Sequence, residues 1–177
     1  MKNIPVAISV LIVLFVYVIL PTIVDAKVTP PPGWRMPGEA DYKGGWAEYR
    51  DETPVPFHVQ ADFNGDGLSD EAWLLISTQG KGWGLFVFFD KAIGGTEIVE
   101  LYNEPGLNSP QNMGITFVET GKYKTACGKG YWDCKEGEPA EIELKNPAIN
   151  FFNYEGANSF FYWDDKSQSF KEIAVSD

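Results

Sequence analysis

The hydrophobic pattern from residue 56 onward runs in short blocks with the spacing of β-strands. Residues 83–89 are continuously apolar over the length of one strand, which predicts a central strand buried on both faces. Residues 141–145 alternate between polar and apolar, so Ile142 and Leu144 are expected to face inward. Nine strands are predicted in all, at residues 57–61, 71–77, 83–89, 96–102, 115–119, 141–145, 148–154, 159–163 and 170–175.

These blocks predict the fold class, because no sustained helical period interrupts them. We expect a single compact, mostly β domain of about nine antiparallel strands, with a four-stranded meander over residues 57–102. Before the strands, Tyr42, Trp46 and Tyr49 have helical spacing and predict a short helical turn. Residues 103–113 are rich in Pro and Gly and are expected to form an irregular loop, where binding residues often lie.

The first 26 residues have a different pattern, in which a basic start is followed by an almost unbroken apolar run. A proline ends that run, and Val24 and Ala26 occupy the −3 and −1 positions of a cleavage site, which predicts a secretory signal peptide over residues 1–26. The alternative is an uncleaved membrane anchor, since residues 4–24 are long enough to span a bilayer. Cleavage predicts an exported domain, periplasmic or extracellular, that does not insert into a membrane.

Residues 27–38 contain four prolines and are expected to form an extended spacer. This leaves residues 39–177 as one domain, which is large enough to bury a core. The net charge of −11 disfavours binding to nucleic acid and to anionic membrane surfaces. It suits cations or a basic partner, and it also serves solubility alone.

The chain has two cysteines, Cys127 and Cys134, and an even pair in an exported protein predicts a disulfide. Closing so short a ring stabilises the fold by roughly 2.5 kcal/mol through chain entropy. The ring would present Tyr131 and Trp132 rigidly, so both are candidates for contacting a partner.

Side-chain oxygens recur at alternate positions in the segment 62–70, and a glycine allows the sharp turn that a wrapped loop needs. Oxygen ligands at this density suit calcium. The alternative is a cation-free turn, because Asn-Gly and Asp-Gly are ordinary turn sequences. The expected ligands are Asp62, Asn64, Asp66, the backbone carbonyl of Leu68, and Asp70.

An EF-hand loop begins in the same way but requires a glutamate at its twelfth position, where this chain has Trp73. The segment 61–70 instead resembles the calcium loop of FG-GAP/VCBS repeats, which are found in integrin-type propellers. The resemblance implies a calcium ion held by the five residues named above, in a loop that joins two antiparallel strands. One copy of the motif is present, so neither a propeller nor integrin-like adhesion is expected.

The sequence contains no Gly-x-Ser-x-Gly motif, phosphate-binding glycine loop or dinucleotide fingerprint, and His58 is its only histidine. We therefore expect an exported, calcium-stabilised domain that binds a protein or a cell-envelope component without catalysis, as inhibitor and immunity proteins do. The alternative is a secreted hydrolase that uses acidic residues near the calcium site. The sequence leaves open whether the chain is an enzyme.

Overall fold

The computed structural model describes residues 28–106 and 109–177, so the predicted signal peptide at residues 1–26 lies outside the described residues. The described part is mostly β and its strand pairings are antiparallel, which confirms the predicted fold class. Among the described helices, none has the length and apolar character needed to cross a membrane.

The described residues contain eleven strands, one short α-helix and three short 3₁₀ helices. The strands are β1 (Trp34–Arg35), β2 (His58–Ala61), β3 (Asp70–Ser77), β4 (Trp83–Asp90), β5 (Thr96–Glu104), β6 (Met113–Val118), β7 (Gly121–Lys124), β8 (Glu141–Leu144), β9 (Ala148–Asn153), β10 (Asn158–Asp164) and β11 (Ser169–Ser176). The α-helix is α1 (Gly45–Glu48), and the 3₁₀ helices are Glu39–Asp41, Pro110–Asn112 and Cys127–Lys129.

The first sheet contains the predicted meander, because β2, β3, β4 and β5 pair in chain order. The strand β4 lies between β3 and β5, and its residues are buried from Trp83 to Phe89, as its unbroken apolar run predicts. The second sheet has the strand order β11-β10-β9-β6. The backbone N–H of Ile115 donates to the carbonyl of Pro56, 2.8 Å away, and so links β6 to the segment before β2.

The main core lies between the two sheets. Leu74, Leu85 and Val87 of the first sheet pack in one cluster with Ile149 and Phe161 of the second. Each inward side chain alternates with an outward one, since successive residues of a strand point to opposite faces. Both sheets therefore need a second layer to cover the apolar residues on their outer faces.

The outer face of the first sheet is covered by the start of the described chain. Val28, Trp34 and Met36 pack against Phe86 and its neighbours, and the Trp34 and Phe86 rings lie 4.9 Å apart. Trp34 also pairs with Ser77 through β1. Residues 28–36, predicted as part of a spacer, thus belong to the packed domain, because their large apolar side chains bury more surface on the sheet than a free linker would.

The outer face of the second sheet is covered by the hairpin of β7 and β8. Ile142 and Leu144 point inward from β8 and pack with Val118, Phe160 and Val175, as their alternation predicts. The strand β7 was not among the nine predicted strands. Its sequence has one large apolar residue, Tyr123, and its strand conformation comes from its pairing with β8.

The predicted helical turn is present as α1, which holds Trp46 in the core. Trp46 is fully buried, and its Nε1 donates to the Met113 carbonyl at 2.7 Å. In the predicted irregular loop, β5 continues to Glu104 and the turn Pro110–Asn112 precedes β6, while residues 107–108 are not described.

Candidate functional site

The predicted metal loop connects β2 to β3, and the antiparallel pair Ala61 and Asp70 closes it. Strands flank it on both sides, as expected for a strand-to-strand loop and not for an EF-hand. Gly65 and Gly67 have φ angles of +76° and +85°, which side chains other than glycine rarely adopt. The glycines therefore let the loop turn sharply enough to bring its alternate polar residues together.

The loop folds around the side chain of Asp62. Its Oδ1 accepts hydrogen bonds from the N–H groups of Gly65 (2.7 Å) and Asp66 (3.1 Å), and its Oδ2 accepts one from Gly67 (2.9 Å). Asp66 Oδ1 accepts from the N–H of Leu68 at 2.9 Å. The amide of Asn64 donates to Asp66 Oδ2 at 3.1 Å. The structure thus brings Asp62, Asn64 and Asp66 into one hydrogen-bonded turn.

Asp70 is fully buried at the base of this loop. Its Oδ2 accepts from the N–H of Phe63 (3.0 Å), and its Oδ1 accepts from the N–H of Asp90 at the end of β4 (3.2 Å). The pKa of Asp70 is raised to about 6, chiefly by burial and to a lesser extent by the charges of Asp66 and Asp62, against the opposing effect of these hydrogen bonds. The loop therefore concentrates negative charge around a buried carboxyl group.

Two contacts from distant parts of the chain fix the loop in place. The ring of Phe63 is fully buried in the main core and meets Phe170 edge-on at 6.3 Å. A Cβ at Gly65 would lie 2.8 Å from the side-chain oxygen of Asn146, so the loop backbone approaches the turn after β8 closely. Sequence reasoning missed Asn146, because its contact with the loop joins segments that are distant along the chain.

The expected ligands are of mixed chemical type. Within residues 28–106 and 109–177, no group of three or more His, Cys, Asp or Glu side chains is arranged to hold a metal ion. A cation in this loop would therefore need the Asn64 side chain and the Leu68 carbonyl in addition to the carboxylates. Each carboxylate has about four acceptor positions. The hydrogen bonds above use three of those on Asp62 and two on Asp70, so both keep acceptor capacity.

The predicted disulfide joins Cys127 and Cys134. Two hydrogen bonds anchor the ring that it closes: the backbone N–H of Ala126 donates to the Ala174 carbonyl at 2.9 Å, and the side-chain Nζ of Lys129 donates to the Val175 carbonyl at 2.6 Å. A Cβ at Gly128 would lie 1.8 Å from the carbonyl oxygen of Ala140. The ring is thus held against both β11 and the segment before β8.

The two aromatic residues of the ring have different environments. Tyr131 has 53 % of its surface exposed. Trp132 is half-buried, and its Nε1 donates to Glu138 Oε1 at 3.1 Å. Tyr131 is therefore the residue available to a partner, whereas Trp132 helps to hold the ring.

The ring and the metal loop lie near opposite ends of β8. Thr125, just before the ring, donates its N–H to the Ala140 carbonyl beside the start of β8. The metal loop contacts Asn146, beyond the end of that strand. The two predicted sites are therefore separate surfaces.

His58, Trp73, Trp83 and Trp163 pack against other side chains of the domain. His58 Nε2 lies 3.0 Å from Glu71 Oε2, and its ring stacks on Trp73 at 4.0 Å between ring centres. Trp83 is buried in the core and Trp163 packs against it. The contacts of His58 and Trp73 therefore lie on the strands that flank the metal loop, whereas Trp83 and Trp163 belong to the main core.

Comparison of the chain with models of known protein families, with curated proteins and with solved structures found no match.

Proposed function

We propose that this chain is an exported, calcium-stabilised β domain that binds another protein or a cell-envelope component through its disulfide ring, without catalysing a reaction. The observation that carries the proposal is the position of Tyr131, which is 53 % exposed on a ring closed by Cys127 and Cys134. An exposed aromatic side chain on an anchored backbone is typical of a binding hot spot.

The anchoring of the ring favours binding for an energetic reason. Association orders flexible segments, and each immobilised side chain costs about 0.5–1.5 kcal/mol. The ring backbone around Tyr131 is already restrained by the disulfide and by the contacts of Ala126, Gly128 and Lys129. Most of the ordering cost is thus met during folding, and the tyrosine ring adds a large contact area with few rotatable bonds.

The calcium part of the proposal rests on the loop 62–70. Its carboxylates lie in one turn, and Asp66 and Asp62 act on the buried Asp70 as like charges. A bound cation would neutralise this repulsion, and the remaining acceptor positions on Asp62 and Asp70 would supply part of its coordination. The expected affinity is that of extracellular modules, about 10⁻⁴ to 10⁻³ M.

The alternative function, a hydrolase with acidic residues beside the loop, requires a carboxyl group that reaches a substrate. Asp70 has the raised pKa of a general acid, but it is fully buried and both oxygens bind backbone N–H groups. This geometry favours a structural anchor over a group that transfers a proton to substrate.

Calorimetry and thermal melting in calcium test the metal site. Calcium is expected to release or absorb heat and to raise the melting temperature of the chain, whereas Asp66→Ala should lose both effects. Asp51→Ala removes an exposed aspartate outside the loop and serves as the matched control. Equal responses of Asp66→Ala and the wild type to calcium would contradict the metal site.

Capture of partners from an envelope extract tests the binding function. The wild type should retain a partner that Tyr131→Ala loses, and Ile93→Ala, which removes a fully exposed apolar residue elsewhere, should retain it. A panel of glycan, peptide and phosphoester substrates should show no turnover. Turnover that Asp70→Ala abolishes while the fold survives would favour the hydrolase.

A further inference from the structure

The strand β5 is an edge of the first sheet. It pairs with β4 on one side, and in the described ranges no other strand pairs with its second side. Residues 96–100 continue the ladder with β4 without interruption, until the register shifts between Phe86 and Leu85. Residues 96–100 therefore form a regular, five-residue edge of the first sheet.

The charged residues of this edge are all acidic. Edges protected against pairing often carry lysine or proline, and β5 contains neither. It carries Glu97 and Glu100, and most of residues 96–100 are exposed, including Ile98 at 40 %. Along this edge, β5 thus has a strand neighbour on one side alone within the described residues, and it exposes an apolar side chain together with acidic ones.

The two faces of the edge differ in composition. Ile98 pairs with Phe88 and Glu100 pairs with Phe86, so both side chains point to the outer face of the sheet. Val99 points the other way and packs against the main core. Glu97 forms an ion pair with Lys91 at 2.5 Å. On the outer face of the sheet, a strand added beside β5 would therefore lie next to Ile98 and Glu100, one apolar and one acidic side chain two positions apart.

We propose that residues 96–100 of β5 accept an extended segment of a partner protein as an additional strand, and that this segment carries an apolar residue and a lysine or arginine two positions apart. Main-chain hydrogen bonds supply affinity in this mode of recognition, and alternate side chains supply specificity. The basic residue complements Glu100, and the apolar residue covers Ile98.

Charge also decides between this occupant and a second copy of the chain. Each copy carries a net charge of −11, and β5 itself contains acidic but no basic residues. Two such edges repel each other, whereas a basic segment is attracted to either one. The acidic edge therefore disfavours self-pairing and favours a basic partner strand.

The proposal is independent of the ring, and a synthetic peptide tests it directly. The probe is a fluorescent peptide of repeated Val-Thr-Lys-Thr, in which a valine and a lysine stand two positions apart on one face, added to the full mature chain and followed by anisotropy. Saturable binding is expected, with new protection in hydrogen-exchange NMR of those amides of residues 96–100 that point away from β4. Glu100→Lys should weaken binding roughly tenfold, since it replaces an attractive charge pair with a repulsive one.

Three controls separate strand addition from other causes. Glu136→Lys makes the same charge change at an exposed site just after the ring and should leave binding nearly unchanged. The same peptide with N-methylated backbone should bind much more weakly, because it cannot donate the ladder hydrogen bonds. Tyr131→Ala should bind the peptide as the wild type does, so that failure of the ring proposal and failure of this one are distinguishable.

Equal binding of the N-methylated peptide, or equal weakening by Glu100→Lys and Glu136→Lys, would overturn strand addition in favour of general electrostatic attraction. Sedimentation of the chain alone checks the other occupant. A dimer whose interface protects residues 96–100 would overturn the basic partner in favour of a second copy. Thermal melting of Glu100→Lys should match the wild type, because the substituted side chain is exposed.

Discussion

The backbone N–H of Phe63 donates to the carboxylate of Asp70 at 3.0 Å, and both residues are fully buried. Phe63 is the second residue of the metal loop, and Asp70 is the last. Their contact ties the two ends of the loop together inside the core while Asp66 stays at the surface. The shape of the loop is thus set by the core as well as by its own turn sequence.

Replacing Asp70 by alanine should destabilise the chain even when calcium is removed by a chelator. The change leaves the N–H groups of Phe63 and Asp90 without their acceptor, and each unsatisfied buried donor costs about 1–3 kcal/mol. Part of this loss is offset because a buried charge disappears. Urea unfolding should show a loss of roughly 2–4 kcal/mol. Asp66→Ala, at an exposed position, should cost less than about 1 kcal/mol, and an equal loss for both variants would contradict the anchoring role of Asp70.

Replacing Gly128 by alanine should destabilise the ring. The new Cβ would lie 1.8 Å from the Ala140 carbonyl oxygen, a backbone atom that cannot rotate away. Chemical unfolding should show a loss of about 1–3 kcal/mol or more. Gly38→Ala is the matched control, because nothing lies within 4 Å of its Cβ position, and it should stay within about 0.5 kcal/mol of the wild type.

Removing the disulfide with Cys127→Ser and Cys134→Ser together should lower the free energy of unfolding by about 2.5 kcal/mol, because the unfolded chain gains freedom. Urea unfolding of the oxidised wild type and the double variant measures this difference. The reduced wild type should resemble the double variant. A negligible difference would mean that backbone contacts alone hold the ring.

The ion pair of Asp164 with Lys171 predicts a pH dependence of stability. The hydrogen bond from Lys171, followed by that from Ser167, lowers the pKa of Asp164 to about 2. A carboxyl group whose pKa is lower in the folded state stabilises the fold above its unfolded pKa, near 4, and loses that effect as the pH falls through its folded pKa. Asp164→Asn should therefore melt below the wild type at pH 7 and converge with it near pH 2. The neighbouring variant Asp165→Asn controls for the loss of one negative charge; a constant gap for Asp164→Asn across this range would contradict the prediction.

Strands with a clear hydrophobic pattern in their own sequence were predicted correctly. The run 83–89 forms the buried centre of the first sheet, and Ile142 and Leu144 face inward, because hydrophobic period and burial are properties of the segment itself. The strands β1 and β7 were missed because each has one large apolar residue, Trp34 or Tyr123, and so shows no hydrophobic period; their conformation comes from pairing with β3 and β8. No local pattern in the sequence encodes such a pairing.

The sequence predicts the local contacts of the two candidate sites but not their contacts with distant segments. The hydrogen bonds around Asp62 are local, so the spacing of the segment anticipates a wrapped turn. The contacts of that turn with Asn146 and with the N–H of Asp90 join distant segments and could not be read from the spacing. In the ring, the sequence indicates two aromatic residues equally, and it is the hydrogen bond from Trp132 to Glu138 that distinguishes them.

The packing of residues 28–36 on the first sheet has a practical consequence for how the domain is produced. A recombinant chain that began at residue 39 would lack Trp34 and Met36 and would leave Phe86 and Phe88 facing water. A bared aromatic surface of this kind promotes aggregation. A chain that begins at Val28 keeps the cover, and the difference in soluble yield between the two would measure how much the domain depends on its first residues.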